Sequence, residues 1–203
     1  MTPSLNDLKN ILDNTPEIIL ASQSPRRKQL LEWAEINFKV VVKETDESYP
    51  ANLSINEIVI HIARNKALAI LQDNHFTIPV LAADTVVVYD HKVIGKPTDR
   101  QNAIDILTSL SRNKHQVVTG VVILHNNKEI AFADTTEVEF HSLELEQIIF
   151  YVDKYKPYDK AGGYAIQEWI GVIGIKSITG DFYNVMGLPV SRVVKELRKL
   201  LMA

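Results

Sequence analysis

The sequence predicts an α/β protein whose sheet mixes parallel and antiparallel strands. Short apolar runs alternate with stretches of helical period along most of the chain. One long alternating stretch, "QVVTGVVILHNNKEIAFADTTEVEF", doubles back at Asn126-Asn127 and reads as an antiparallel hairpin. A hydrophobic share of 46% over 203 residues supplies the core of one large domain or two closely joined lobes.

The elements follow in order. Leu5, Leu8, Ile11 and Leu12 share one face of a short amphipathic helix. Residues 1–16 are therefore expected to be an N-terminal extension, ahead of a single domain over residues 17–203. "EIILAS" reads as a buried strand, and Pro25 to Ala34 as a helix with proline at its first position. "FKVVV" is a second strand, followed by the acidic, polar loop "KETDESYPANLS". Ser54 caps a long helix with Glu57 as its capping-box partner. Ile55, Ile58, Val59, Ile62, Ala69 and Ile70 carry its apolar face to about Gln72. "IPVLAADTVVVY" is the central strand, "YDHKV" a turn, and "IGKPTD" leads into a helix over Arg100 to Leu110. After the hairpin, Glu144 to Val152 is helical and "DKYKPYDKAGGYAIQEW" is loop-like. "GVIGIKSITG" supplies a last strand, and "GLPVSRVVKELRKLL" closes with a helix.

Composition excludes several classes of function. The formal net charge is −3, so no basic excess advertises a nucleic-acid partner, and any phosphate site must be local. The absence of cysteine excludes disulfides, thiolate chemistry, zinc ribbons and iron–sulfur sites. No apolar run reaches the roughly 18–20 residues of a membrane span. "MTPSLNDLKNILDN" lacks the basic start and apolar stretch of a signal peptide. A cytoplasmic protein with no membrane partner is the expectation.

The chemistry concentrates in a few stretches. In "ASQSPRRKQLLEW" a strand, a polar turn and a helix N-terminus form a ready anion site, because the first amides of the helix point outward unpaired. Ser22 and Ser24 add hydroxyls. Arg26 and Arg27 add planar donors that match phosphate oxygens, although cations are disfavoured at that end of a helix. Ser24 as a plain N-cap with solvated arginines is the alternative. Asp84 stands inside the apolar strand "LAADTVVV", where an unpaired carboxylate is costly. A metal ion, a cation or a ring of hydrogen bonds must meet it, and either metal binding or activation of water would use it. Beside it, Thr85 offers a hydroxyl. Lys66 lies on the long helix and Lys96 on the turn "GKP". Glu47 belongs to the acidic loop. "YDKAGGYAIQ" pairs Asp159 and Lys160 with two glycines and ends on Gln167, whose amide can read a base edge.

Taken together, "LASQSPRRKQLL", "ARNKA", "AADTVVV", "GKP", "TEVEF", "DKAGGYAIQ" and "GDFYNVMGLPV" resemble the Maf family of nucleoside triphosphate pyrophosphatases, in family order and spacing from about Ile18 to Leu197. The resemblance implies a mixed, strongly twisted sheet with flanking helices, and two lobes around a nucleotide cleft, as in inosine-triphosphatase-like folds. It implies hydrolysis of a nucleoside triphosphate between the α- and β-phosphates with Mg²⁺ or Mn²⁺, commonly in a homodimer. The catalytic aspartate falls on Asp84. The phosphate-handling positions fall on Ser24, Arg26, Arg27, Lys66 and Lys96, the acidic metal position on Glu47 beside Asp84, and the aspartate–lysine pair on Asp159 and Lys160.

Arg26, Thr85 and Gln167 are similar to the branch acting on dTTP and UTP rather than on 7-methyl-GTP. Ala165, Glu168 and Trp169 depart from the family's usual glycines and put the setting of Gln167 in doubt. The alternatives are a nucleotide-binding regulator of cell division with weak catalysis, and a pyrophosphatase of the 7-methyl-GTP type. Replacing Arg26→Trp together with Thr85→Gln is expected to weaken pyrimidine selectivity, read as the ratio of kcat/KM for dTTP to that for 7-methyl-GTP. An unchanged ratio would remove both positions from substrate choice.

Overall fold

A computed structural model describes residues 17–73 and 76–202. The amphipathic helix expected over the first dozen residues lies outside them. Strand β1 (Ile18–Leu20) is fully buried and turns into helix α1 (Pro25–Trp33). Strand β2 (Phe38–Val40) ends two residues before its apolar run does. Helix α2 (Ile55–Asp73) starts at the expected capping box: the Ser54 amide donates to Glu57 Oε2 at 2.8 Å. Strand β3 (Val80–Tyr89) makes a hairpin with β4 (Lys92–Ile94). Asp90 and His91 bridge the two at φ 49° and 59°, turning what the sequence offers only as a turn into a strand pair. Helix α3 (Arg100–Leu110) is capped by Asp99. Strands β5 (Lys114–His125) and β6 (Lys128–Phe140) form the long hairpin, with Asn126 and Asn127 both at positive φ.

Helix α4 (Leu145–Tyr155) runs three residues beyond the expected end. A 3₁₀ turn over Ala161–Gly163 precedes helix α5 (Trp169–Gly174). The stretch "GVIGIKSITG" is therefore divided: its first half is helical, and only Ile175–Thr179 forms strand β7. Only glycine fits at position 171 of this helix, since a Cβ there would lie 1.7 Å from the Ile166 carbonyl oxygen. A short helix α6 (Phe182–Val185) and helix α7 (Val190–Met202) end the chain. Among the described residues no helix is long and apolar enough to cross a membrane.

The strands form one mixed sheet in the order β2-β1-β3-β5-β6-β7, with β4 also on β3. β1 lies parallel to β2 and β3, and the other pairs are antiparallel. Helix α2 covers one face, where Ala63, Ala67 and Ile70 pack on Val80, Ala82 and Val122. The opposite face buries Leu30 and Leu31 of α1, Leu107 of α3, Tyr151 of α4 and Val193 of α7 against Leu81, Ala83 and Val121. Successive β3 side chains thus alternate between two cores, as the pleat demands.

Two features of this sheet position the site. One edge of β3 is paired with β5 from Val80 to Val88. The other edge carries β1 only at Val80 and Leu81, and β4 only from Val87. Between them the middle of β3 has no strand beside it among the described residues, and the chain leaving β1 diverges there from the chain leaving β4. Such a divergence is where open α/β sheets bind ligands. The second feature is Gly120 on β5, opposite Asp84. A Cβ there would stand 2.4 Å from the backbone of Val59, so only glycine admits α2 this close to the sheet. Gly120→Ala is expected to lower the free energy of unfolding by about 1–3 kcal/mol through overpacking, measured by urea denaturation. Gly95→Ala, at a position with open space around it, should stay within about 0.5 kcal/mol of the parent.

Candidate functional site

The gap beside β3 opens into a cleft of about 640 Å³. Its wall brings together Ser22, Ser24, Arg26, Arg27, Glu47, Lys66, Asp84, Thr85, Lys96, Asp159 and Lys160, from six separate stretches of sequence. Gln167 is different: it is exposed and does not line the cleft. Glu168 instead begins α5 and accepts a hydrogen bond from the buried Tyr151 hydroxyl, while Trp169 packs edge-on against Phe150 at 4.8 Å. These departures anchor the turn after Ile166 to α4 and leave the Gln167 amide outside.

Asp84 and Thr85 are neighbours in sequence but belong to opposite faces of β3. Asp84 points to the α2 side, where its Oδ1 accepts from Lys66 Nζ at 2.7 Å. Its side chain is only 14% exposed, so this ion pair answers the cost of a carboxylate within an apolar strand. The same ammonium lies 2.7 Å from Oε1 of Glu47, which reaches in from the loop between β2 and α2. The hydrogen bond from Lys66 holds the Glu47 carboxyl below its ordinary range, against burial, with the charges of Lys66, Lys96 and Arg27 adding to the effect.

Thr85 points to the other face and meets Arg27. The Arg27 guanidinium is buried and donates from all three nitrogens: to the Gly187 carbonyl at 2.8 Å, to Ser22 Oγ at 3.0 Å and to Thr85 Oγ1 at 3.0 Å. Among the described residues it contacts no carboxylate. Burial lowers its pKa, and the nearby charge of Asp84 opposes that shift. A planar fork with fixed donor directions can satisfy three acceptors in this way, whereas an ammonium cannot. Arg27 is thus a framed cation rather than a freely reaching one. Gly187, at φ 111°, supplies both the carbonyl and the room beside Arg27 Nε and Thr85 Oγ1.

Arg26 leaves the start of α1 in another direction and pairs with Asp159 Oδ2 at 3.2 Å. Asp159 Oδ1 accepts from Lys160 Nζ at 2.7 Å, and Glu168 Oε1 lies 3.5 Å behind that ammonium. Burial pushes the Asp159 carboxyl up, but the Lys160 hydrogen bond and the charges of Lys160 and Arg26 outweigh it and leave the carboxyl below its usual range. Ser24 stands at the N-cap of α1 without a side-chain capping bond, so its hydroxyl is not spent on the helix. Lys96 is exposed at the cleft wall and makes no ion pair or hydrogen bond among the described residues. The loop bearing Asp159 and Lys160 is fastened to the sheet by aromatic packing. Tyr164 meets Phe140 at 5.0 Å and His115 at 5.4 Å, and its hydroxyl lies 2.7 Å from His115 Nε2. Burial lowers the His115 pKa to about 4, which keeps this contact uncharged near neutrality.

Reading the sequence did not single out Thr119, Asn184, Gly187 or Tyr151. A hydroxyl at Thr119 within an apolar strand was the one available signal. The contacts of the other three are with backbone groups or distant loops, which leave no local pattern.

Two side chains of the cleft carry the kind of oxygen donor that a divalent cation takes. Two carboxylate oxygens, from Glu47 and Asp84, already converge on a single positive group, and hard oxygen donors suit Mg²⁺ or Mn²⁺. Among the described residues no group of three or more His, Cys, Asp or Glu could hold a metal unaided. Replacing Lys66→Met should raise the Glu47 pKa back toward its ordinary value, followed as the pH titration of its carboxyl carbon by NMR. An unmoved titration would show that Lys66 does not govern Glu47.

Comparison with known proteins follows the same lines. The model of the family described as Maf-like protein matches residues 17–200. A dTTP/UTP pyrophosphatase of Cytophaga hutchinsonii is 50% identical over 191 residues, 94% of this chain and 87% of its own. One from Bacteroides thetaiotaomicron is 48% identical over 188 residues, 91% of this chain and 96% of its own. A solved nucleoside-triphosphatase / dITP/XTP pyrophosphatase of Mycobacterium abscessus overlays 62% of this chain and 73% of its own at 15% identity. Its TM-score of 0.37 is too slight a likeness to bear on fold or chemistry.

Proposed function

The chain belongs to the Maf family, and on that premise we propose that it hydrolyses dTTP and UTP to the nucleoside monophosphate and pyrophosphate, clearing nucleotide pools. The observation that carries this reading is the pairing of two carboxylates, Glu47 and Asp84, on one ammonium inside a cleft whose wall also holds Arg26, Arg27, Lys96 and Lys160. A triphosphate brings about four negative charges, and these cations offset that charge where it builds up on the leaving group. The names of the relatives support the pyrimidine substrates.

In this mechanism Asp84 takes a proton from a water molecule as the water oxygen attacks the α-phosphorus. The bond from that phosphorus to the bridging oxygen breaks, and pyrophosphate leaves with its electron pair. Arg27, fixed by its three acceptors, presents its positive charge without having to be ordered by the substrate. Lys96, without a protein partner among the described residues, and Lys66 are placed for the phosphates. Glu47 and Asp84 would hold Mg²⁺ or Mn²⁺, which would supply Lewis-acid stabilisation of the phosphoryl charge. Arg26, held at the rim by Asp159, and Thr85 are placed for selection of the nucleoside. The same reading has the enzyme act as a homodimer in the cytoplasm.

Pyrophosphate release should be measured from dTTP, UTP, 7-methyl-GTP and ITP with Mg²⁺ or Mn²⁺. The pyrimidine triphosphates are expected to turn over fastest. Binding without release would favour a regulator, and fastest release from 7-methyl-GTP would move the enzyme to the other branch. Asp84→Asn should melt near the parent and lose kcat by at least about 100-fold.

A further inference from the structure

We infer that Thr119, directly behind the cleft wall, is a positioning residue that fixes the Thr85 hydroxyl as an acceptor toward the cleft and braces Arg27. This deepens the proposed function and rests on it for the identity of the substrate.

Thr85 and Thr119 stand directly opposite each other on β3 and β5, with their hydroxyl oxygens 3.0 Å apart. Thr119 is completely buried. Each hydroxyl has one hydrogen, so counting hydrogens orders the network. Arg27 is a donor only, and Thr85 Oγ1 accepts from it at 3.0 Å. One threonine must donate to the other, because two lone pairs at 3.0 Å would repel. If Thr85 donates, the Thr119 hydrogen goes to the Asn184 carbonyl at 3.2 Å. If Thr119 donates, its bond to Asn184 is lost and the Thr85 hydrogen finds no protein acceptor among the described residues nearer than the Gly187 carbonyl at 3.4 Å. Both hydroxyl-to-carbonyl contacts are longer than an ordinary O–H···O bond, and each carbonyl already receives an N–H, Gly187 from Arg27 Nε at 2.8 Å and Asn184 from the Gly187 amide at 2.9 Å, so the difference between 3.2 Å and 3.4 Å decides. The shorter set wins. The chain therefore runs one way, from the Arg27 N–H to Thr85, to Thr119, to the Asn184 carbonyl, each link polarising the next.

Two consequences follow for the cleft. The only hydrogen on Thr85 points into the sheet, so toward a ligand Thr85 offers a lone pair alone. The ligand group that meets it must be a hydrogen-bond donor, such as the imide N–H of a pyrimidine or a sugar hydroxyl, and not a phosphate oxygen. In addition, the fixed lone pair of Thr85 on the opposite side holds one arm of the Arg27 guanidinium.

The test compares Thr119→Val with Thr119→Ser. Valine keeps the shape and removes the hydroxyl. It leaves no carbonyl orphaned, since Asn184 still accepts from the Gly187 amide at 2.9 Å. Serine keeps the hydroxyl and removes a buried methyl. Thr119→Ser should melt lower than Thr119→Val yet hold KM for dTTP within about twofold of the parent, whereas Thr119→Val should raise KM about tenfold with kcat nearly unchanged. The Arg27 Nε–H resonance in ¹⁵N NMR should shift and exchange faster with solvent in Thr119→Val, but not in Thr119→Ser. Parent-like KM and resonance in Thr119→Val would overturn the role of Thr119, as would losses in the two variants that merely follow their melting temperatures. If the parent releases no pyrophosphate from any triphosphate, the functional reading fails and the Arg27 resonance alone decides.

Discussion

The register between β3 and β5 is the constraint on which the cleft depends. It sets Asp84 opposite Gly120 and Thr85 opposite Thr119. Because a strand turns successive side chains to opposite faces, two adjacent residues enter two different environments. Asp84 faces helix α2 and its lysine. Thr85 faces the helix that carries Arg27. A slip of one residue would exchange them, placing a carboxylate against Thr119 and a threonine against an ammonium left with Glu47 alone. The glycine opposite Asp84 is part of the same constraint, since it sets how closely α2 can approach and therefore whether Lys66 arrives at the strand at all.

Charge is organised around that register. The chain as a whole is acidic, with a formal net charge of −3, yet six basic side chains line the cleft against four carboxylates. The two arginines at the start of α1, unfavourable to the helix dipole, separate into different tasks. Arg27 turns inward to three neutral acceptors, and Arg26 turns outward to Asp159. Their opposite directions explain how consecutive cations coexist on one helical turn.

Much of this was legible from the residues, because it is written locally. The capping box of Ser54 and Glu57, the asparagine pair of the long hairpin and the apolar run around Asp84 each carry their signal within a few positions. The residues expected at the site were legible as a set, and all but Gln167 reach one cleft. What was not legible depends on partners far along the chain. The last turn of helix α5, Gly171 to Gly174, reads as part of a strand, and the close approach of Gly171 to the Ile166 carbonyl is a contact that the local pattern does not announce. Strand β4 is three residues long and exists through its pairing with β3. Gln167 is turned outward by the Glu168 bond to Tyr151, seventeen positions earlier. Gly187 acts through a backbone oxygen, which no side-chain pattern can announce.

Arg27 has a thermodynamic consequence beyond its chemistry. A cation that is desolvated by its own fold and touches no carboxylate among the described residues is a standing cost to the native state. Any multivalent anion that settles beside it offsets that cost only while the chain is folded. Ligand occupancy and conformational lifetime are therefore coupled, and an occupied molecule resists unfolding and proteolysis longer than an empty one.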